Sequence, residues 1–239
     1  MKRWLGLTLL LIFVWFAPVC AADLPPFEGL IEPKELVGFS TQVAGILETV
    51  LVERGDKVRR GQVLVRLKSG VERAAVRVAE ARVEFGKRKA VRNEELYKKQ
   101  LISIHEKDEI ETEIQLAELE LAEAQERLAL RTIRSTIDGV VVERKGAPGE
   151  YVGEEPFLTI AQINPLNVEL VVSSDFFGAI KEGTAVQVVL PEPVGGSYPA
   201  KVVIVDQVID AGSGTFGVRV ELPNPKLKLP AGLRCQVIF

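Results

Sequence analysis

The chain is poor in the side chains that hold metals and do nucleophilic chemistry. It has one histidine, His105, two cysteines, Cys20 and Cys235, and methionine only at position 1. A Cys/His zinc centre needs three or four such ligands in a short pattern, and this inventory argues against one. A Cys–His catalytic pair can be written only as Cys235 with His105. The plainer reading is a buried small residue in the last strand and an exposed residue between two helices. Aromatic residues make up 6% of the chain and the net charge is −3, so nothing here resembles a nucleic-acid surface. Carboxylates such as Glu109, Glu111 and Glu113 read as a solvated helix face, not an acid–base pair. We expect no enzyme, no metal and no cofactor.

Long apolar runs are also missing. The one candidate, Trp4 to Phe16, is about 13 residues, short of the ~20 that cross a bilayer as a helix. Lys2 and Arg3 precede it, and Val19-Cys20-Ala21 or Cys20-Ala21-Ala22 offers small residues for cleavage. Residues 1–22 therefore read as a secretory signal peptide. An uncleaved anchor is the rival, and lipidation of Cys20 a second, with Val19 a poor fit before a lipidated cysteine. A cleaved chain retains only Cys235, so no internal disulfide stabilises it.

What is present in quantity is helix-forming sequence. Val71 to Arg131 is rich in Ala, Glu, Arg, Leu and Val, with one glycine, Gly86, and no proline. Ile110, Ile114, Ala117, Leu121, Ala124 and Leu128 form a heptad-spaced seam in its second half. Val71, Ala74, Val78, Ala81 and Phe85 form a similar seam in the first half, which then meets Arg88 and Arg92. Gln100-Leu101-Ile102-Ser103-Ile104-His105 separates the two, with Ser103 a candidate N-cap and Glu106 its capping-box partner. The pattern predicts two antiparallel helices joined by a tight tip, each reaching about 40–45 Å at 1.5 Å per residue.

The flanks read as strands. Gly45, Gly55, Val58 and Leu64 fall at offsets 0, 10, 13 and 19, and Gly139, Gly149, Val152 and Leu158 repeat those offsets after the helices. Gly55-Asp56-Lys57-Val58 and Gly149-Glu150-Tyr151-Val152 share a Gly-acidic-x-Val element. Each half is too small to bury its own face, so the two are predicted to pack as one β-sandwich with the helices inserted between them. Gln162-Ile163-Asn164-Pro165 reads as a break. From Leu166 onward, short alternating strands predict a small antiparallel β-barrel.

At this point the chain resembles the periplasmic adaptors, or membrane fusion proteins, of tripartite efflux pumps (the HlyD and RND adaptor family). The resemblance is carried by Gly45-Ile46-Leu47, Val52-Glu53-Arg54-Gly55-Asp56-Lys57-Val58-Arg59-Arg60-Gly61-Gln62-Val63-Leu64, Ile133 to Val141, Gly149-Glu150-Tyr151-Val152, and Gly214 to Pro225 with Leu229-Pro230-Ala231-Gly232. It implies an α+β, mostly β chain: a biotinyl-lipoyl-like sandwich split by a long antiparallel α-helical hairpin, then a barrel. The expected division is 29–67 first lipoyl-like half, 68–132 hairpin, 133–163 second half and 164–239 barrel. The membrane-proximal domain of many relatives is expected to be absent.

The resemblance further implies an exported, periplasmic adaptor bridging an inner-membrane transporter and a TolC-type outer-membrane channel, as a hexameric ring or a trimer of dimers. The short signal favours an RND transporter over an ABC exporter or a type I secretion system. The family's hairpin tip can carry Arg-x3-Leu-x6-Ser, matched here by Arg92, Leu96 and Ser103. On one helix these positions would lie within about 40° of one another. The plainer reading is that Arg92 lies along the seam and Ser103 only caps the second helix. A lipoyl or biotinyl carrier is the competing class. Its modified Lys sits between the two β-halves, where this chain has helix, and Lys68 lacks that sequence context.

Overall fold

The computed structural model describes residues 24–239, so the signal-peptide reading of residues 1–22 lies outside the described residues. The chain opens with a long strand, β1 (Phe27–Phe39). Three shorter strands follow: β2 (Gly45–Val50), β3 (Lys57–Val58) and β4 (Val63–Leu67). Two helices come next, α1 (Gly70–Lys98) and α2 (Ile104–Ala129). Then come β5 (Thr132–Arg134), β6 (Gly139–Arg144), β7 (Tyr151–Val152) and a second long strand, β8 (Leu158–Ser173). The chain finishes with β9 (Ala185–Val189), β10 (Ser197–Val205), β11 (Thr215–Leu222) and β12 (Arg234–Ile238). No helix among the described residues is long and apolar enough to cross a membrane.

The sequence repeat is a repeat of hydrogen bonds. β2 pairs with β7 through Gly45↔Val152 and Ile46↔Tyr151, and β6 pairs with β3 through Gly139↔Val58 and Val140↔Lys57. Each half thus borrows a strand from the other. The N–H of Gly55 donates to the Val141 carbonyl and that of Gly149 to the Leu47 carbonyl, both at 2.8 Å. The acidic residue after each glycine holds the turn: the Glu53 N–H donates to the Asp56 carboxylate at 2.8 Å, and the Ala147 N–H to the Glu150 carboxylate at 3.0 Å. Both glycines stand at φ +95°, a backbone region that other residues occupy only with strain. Leu47, Val58, Leu64, Val141, Val152 and Leu158 are buried in a single core with Phe39, Val52, Val65, Leu67, Phe157 and Ile160.

A second core fills a closed ring of six strands, β1-β12-β9-β10-β11-β8, with the β1–β8 ladder closing it. Gln162 to Pro165 lies inside β8, which pairs by 158–162 with Glu35–Phe39 and by 166–170 with Gly29–Pro33; the register shifts between these runs, where Ile163, Asn164 and Pro165 stand opposite Lys34 alone, so the strand bulges at the expected break without ending there. Asn224 fixes the loop before β12. Its side-chain amide donates to the Ile163 and Leu229 carbonyls and accepts from the Lys228 and Leu229 N–H groups, while its own N–H donates to Asn164. A buried amide with every position used is a lock on one loop conformation.

Candidate functional site: the helix pair and its tip

α1 and α2 lie against each other in opposite directions, tied by Arg82–Glu120 at 2.7 Å, Lys87–Glu118 at 2.8 Å and Lys89–Glu113 at 2.7 Å. At 1.5 Å per residue the 29 residues of α1 extend about 43 Å. The α2 seam faces α1 as expected: Ile110 is buried, and Ile114, Ala117, Leu121, Ala124 and Leu128 are half-buried. The α1 seam does not. Val71, Val78 and Phe85 are 80%, 58% and 55% exposed, and α2 is met by Val76, Ala79, Val83 and Gly86.

Both α1 stripes have helical spacing, so periodicity alone cannot choose between them. Two contacts off the seam choose. A Cβ on Gly86 would lie 3.0 Å from Ile114 Cγ1, so the missing side chain admits the bulky partner. At the root, Arg131 holds Glu72, which belongs to the stripe of Val76 and Ala79. Its Nε donates to Glu72 Oε1 at 3.0 Å, its Nη2 forms an ion pair with the same oxygen at 2.7 Å, and its Nη1 donates to the Ala44 carbonyl at 3.1 Å.

The far end is closed by two different caps. α1 stops at Lys99, and Gln100 adopts φ +58°. The Gln100 N–H donates to the Tyr97 carbonyl at 2.8 Å and the Leu101 N–H to the Leu96 carbonyl at 2.9 Å, a Schellman closure made without glycine. α2 starts on the predicted capping box. The Glu106 N–H donates to Ser103 Oγ at 3.2 Å, and the Ser103 N–H and hydroxyl both donate to the Glu106 carboxylate, at 2.7 and 3.0 Å. These bonds hold Glu106 below the ordinary carboxylate range, the Ser103 backbone N–H most strongly. Lys107 reaches back to Glu94 at 3.1 Å, and its ammonium lies 5.1 Å from the Tyr97 ring centre. The bond to Lys107 lowers the pKa of Glu94, and that to Glu94 raises the pKa of Lys107.

Arg92 is exposed and Leu96 half-buried on α1, whereas Ser103 caps α2. The single-helix stripe that would align all three is therefore not what the chain builds, because α1 ends between Leu96 and Ser103. Sequence reasoning overlooked two tip residues, Leu101 and Ile104. Both are exposed apolar side chains at the turn. The available signal was an apolar run in a place where a connecting turn is normally polar.

The other candidates do not assemble. His105 stands exposed at the tip and Cys235 is buried in the barrel core, its thiol pushed up to about 11 by burial. Lys68 is exposed between β4 and α1, its N–H donating to the Ile46 carbonyl. Among the described residues no group of His, Cys, Asp and Glu could hold a metal ion.

Known proteins share this architecture. The CzcB-like barrel-sandwich hybrid domain profile matches residues 35–162. An uncharacterized protein of Haemophilus influenzae is 28% identical over 230 residues, covering 91% of this chain and 59% of that protein. The chain spans 59–60% of the length of the curated relatives it matches. A MacA–MexA chimera carrying the Pseudomonas aeruginosa MexA α-hairpin domain superposes with TM-score 0.76 at 20% identity, covering 89% of this chain and 80% of that one. The membrane fusion protein Spr0693 of Streptococcus pneumoniae superposes with TM-score 0.69 at 22% identity, covering 89% and 97%.

Proposed function

The chain belongs to the CzcB-like barrel-sandwich hybrid family of membrane fusion adaptors, and from that membership we propose that it is the adaptor subunit of a tripartite efflux system. In this reading it is exported to the periplasm and bridges an inner-membrane transporter of RND type and a TolC-type outer-membrane channel. Residues 29–67 and 133–163 are the halves of a lipoyl-like sandwich, 68–132 the inserted hairpin and 164–239 the barrel. Several copies form a ring whose stacked β-bodies line a conduit.

One observation carries the proposal: a helix pair about 43 Å long leaves the β-body by both strands of a cut, is clamped at its root by Arg131, and ends in exposed Leu101 and Ile104. A rod fixed at one end and apolar at the other is built to hold something at a distance. In the proposed mechanism the tip binds the open channel more tightly than the closed one, which is the only way docking can bias opening. We assign the docking contact to Arg92, Leu96 and Ser103, with Leu101 and Ile104 beside them.

The test is cross-linking in cells from a photoreactive residue at position 92, 96 or 101 to a co-expressed channel, with a position midway along the arm as control. Adducts at the tip and none at the control are expected. Adducts only at the control would remove the tip from docking. For Ser103 the comparison is Ser103→Asn, which keeps an N-cap acceptor but has no hydroxyl, against Ser103→Ala, which loses both. A docking hydroxyl predicts that both abolish efflux in a strain lacking the native protein; loss in Ser103→Ala alone would leave Ser103 a cap and no more.

A further inference from the structure

β8 changes partners on one side as it passes from the sandwich to the barrel, while β1 follows it on the other. β6 accompanies it as far as Val140↔Ala161, and β11 joins it from Leu222↔Leu166 onward. Between them no strand flanks residues 162–165 on that side, and a cleft of about 530 Å³ opens there. Lys57, Val58, Arg59 and Gln62 line it from the sandwich, and Ile163, Pro225 and Leu227 from the barrel side.

Both walls are held in place by the chain itself. The Arg59 N–H donates to Gln62 Oε1 at 3.0 Å, and the Arg60 N–H to the Asp138 carboxylate at 2.8 Å. Across the cleft, the Asn224 side-chain amide donates to the Ile163 carbonyl and the Asn224 N–H to the Asn164 side chain, both at 2.9 Å. The cleft is therefore preformed, and its volume falls in the roughly 300–1,000 Å³ range of small-molecule sites.

Two chemistries meet in the lining. Val58, Ile163, Pro225 and Leu227 offer apolar surface. Lys57 and Arg59 are exposed cations without an ion-pair partner among the described residues, and so are Arg60 and Lys226 next to lining residues in the chain. The one carboxylate in the lining, Asp138, has an oxygen taken by the Arg60 N–H. A bare inorganic anion would leave the apolar surface unused, and a neutral hydrocarbon would leave the cations without a counter-charge.

We propose that this cleft binds a small amphipathic organic anion, an apolar body carrying one carboxylate, sulfonate or phosphate group. The apolar body lies against Val58, Ile163 and Leu227, and the anionic group meets Lys57 and Arg59. Such a ligand touches both β-bodies at the one place where β8 runs unflanked on that side. The cleft is present whether or not the chain serves as an adaptor, and its test needs neither transporter nor channel.

Calorimetric titration of the purified chain with naphthalene-2-sulfonate is expected to saturate at one ligand per chain. Naphthalene-2-sulfonamide, which keeps the rings and loses the charge, and inorganic sulfate, which is the head alone, should each bind about tenfold more weakly or worse. Arg59→Gln and Lys57→Gln, both at exposed positions, should each weaken the sulfonate by about threefold or more and leave the sulfonamide unchanged. Lys99→Gln, at the far end of α1, should change neither. In the unsubstituted chain, nuclear Overhauser contacts from the naphthalene protons should reach the methyls of Val58, Ile163 and Leu227, a result that no variant has to fold to give. No saturable binding by about 1 mM, either control bound as tightly as the sulfonate, or contacts to methyls elsewhere overturns the proposal.

Discussion

Glu72 and Arg131, fifty-nine positions apart, close the root of the helix pair through one carboxylate oxygen that accepts a hydrogen bond from Arg131 Nε and lies 2.7 Å from its Nη2, with both side chains only 17% exposed. Removing either partner leaves a charge with little water. Arg131→Ala is expected to cost about 1–3 kcal/mol, below the value for a fully buried pair because some solvent remains. Chemical denaturation measures it. The double variant with Glu72→Ala should cost less than the two single changes together, since the second removes the stranded charge. Faster protease cleavage at Lys68 or Arg73 would locate the loosening at the root.

Asn224 should be among the least replaceable polar side chains in the chain. Asn224→Ala strands two carbonyls and two N–H groups in a buried loop, for an expected loss of about 2–4 kcal/mol. Asn224→Asp keeps the size but cannot donate to the Ile163 and Leu229 carbonyls, and it too should destabilise. Thermal unfolding of an aspartate variant at wild-type temperature would contradict the assigned bonds.

The paired turns offer a symmetric experiment. Gly55 and Gly149 share φ +95°, with nothing within 4 Å of the position a Cβ would take, so the cost of a side chain is conformational alone. Gly55→Ala and Gly149→Ala should each lose about 1–2 kcal/mol, and by similar amounts. A large difference between the two would mean that the halves are not equivalent in energy.

The tip is improvable. Gln100 holds a left-handed conformation that glycine adopts without penalty, and its side chain is exposed. Gln100→Gly should stabilise the Schellman closure by about 0.5–1 kcal/mol, read as slower amide exchange at Gln100 and Leu101.

Acid should open the capping box. The pKa of Glu106 is lowered in the folded chain, so its contribution is complete above the ordinary glutamate value of 4.5 and is lost as pH falls through the lower folded value. Glu94, lowered by Lys107, follows the same direction. A carboxyl NMR titration of Glu106 with a midpoint at or above 4.5 would show that the box is not formed in solution.

The sequence showed most clearly what short-range chemistry decides. Ser103 and Glu106 lie three residues apart and need only one turn of helix to find each other, and the capping box formed as read. The offsets of Gly45, Gly55, Val58 and Leu64 were legible because the same turn was written twice. What stayed hidden was settled at long range. The α1 face was chosen by Gly86 meeting Ile114 and by Glu72 meeting Arg131, contacts across 28 and 59 positions that no local period contains. Gln162 to Pro165 reads as punctuation because Pro is rare inside strands, and β8 passes through it only by bulging, three residues against the single Lys34 of β1. At the tip, Arg92 and Leu96 stand on α1 and Ser103 caps α2, while the exposed Leu101 and Ile104 lie at the turn, where no helical or strand period marks them.

β1 and β8 belong to both β-cores at once, and their shared ladder spans the boundary between them from Gly29–Leu170 to Phe39–Leu158. No pliant tether separates the barrel from the body that carries the rod. A sideways pull on the tip is therefore delivered to the barrel through main-chain bonds, as a lever delivers torque to its axle, and whatever grips the barrel feels the far end move.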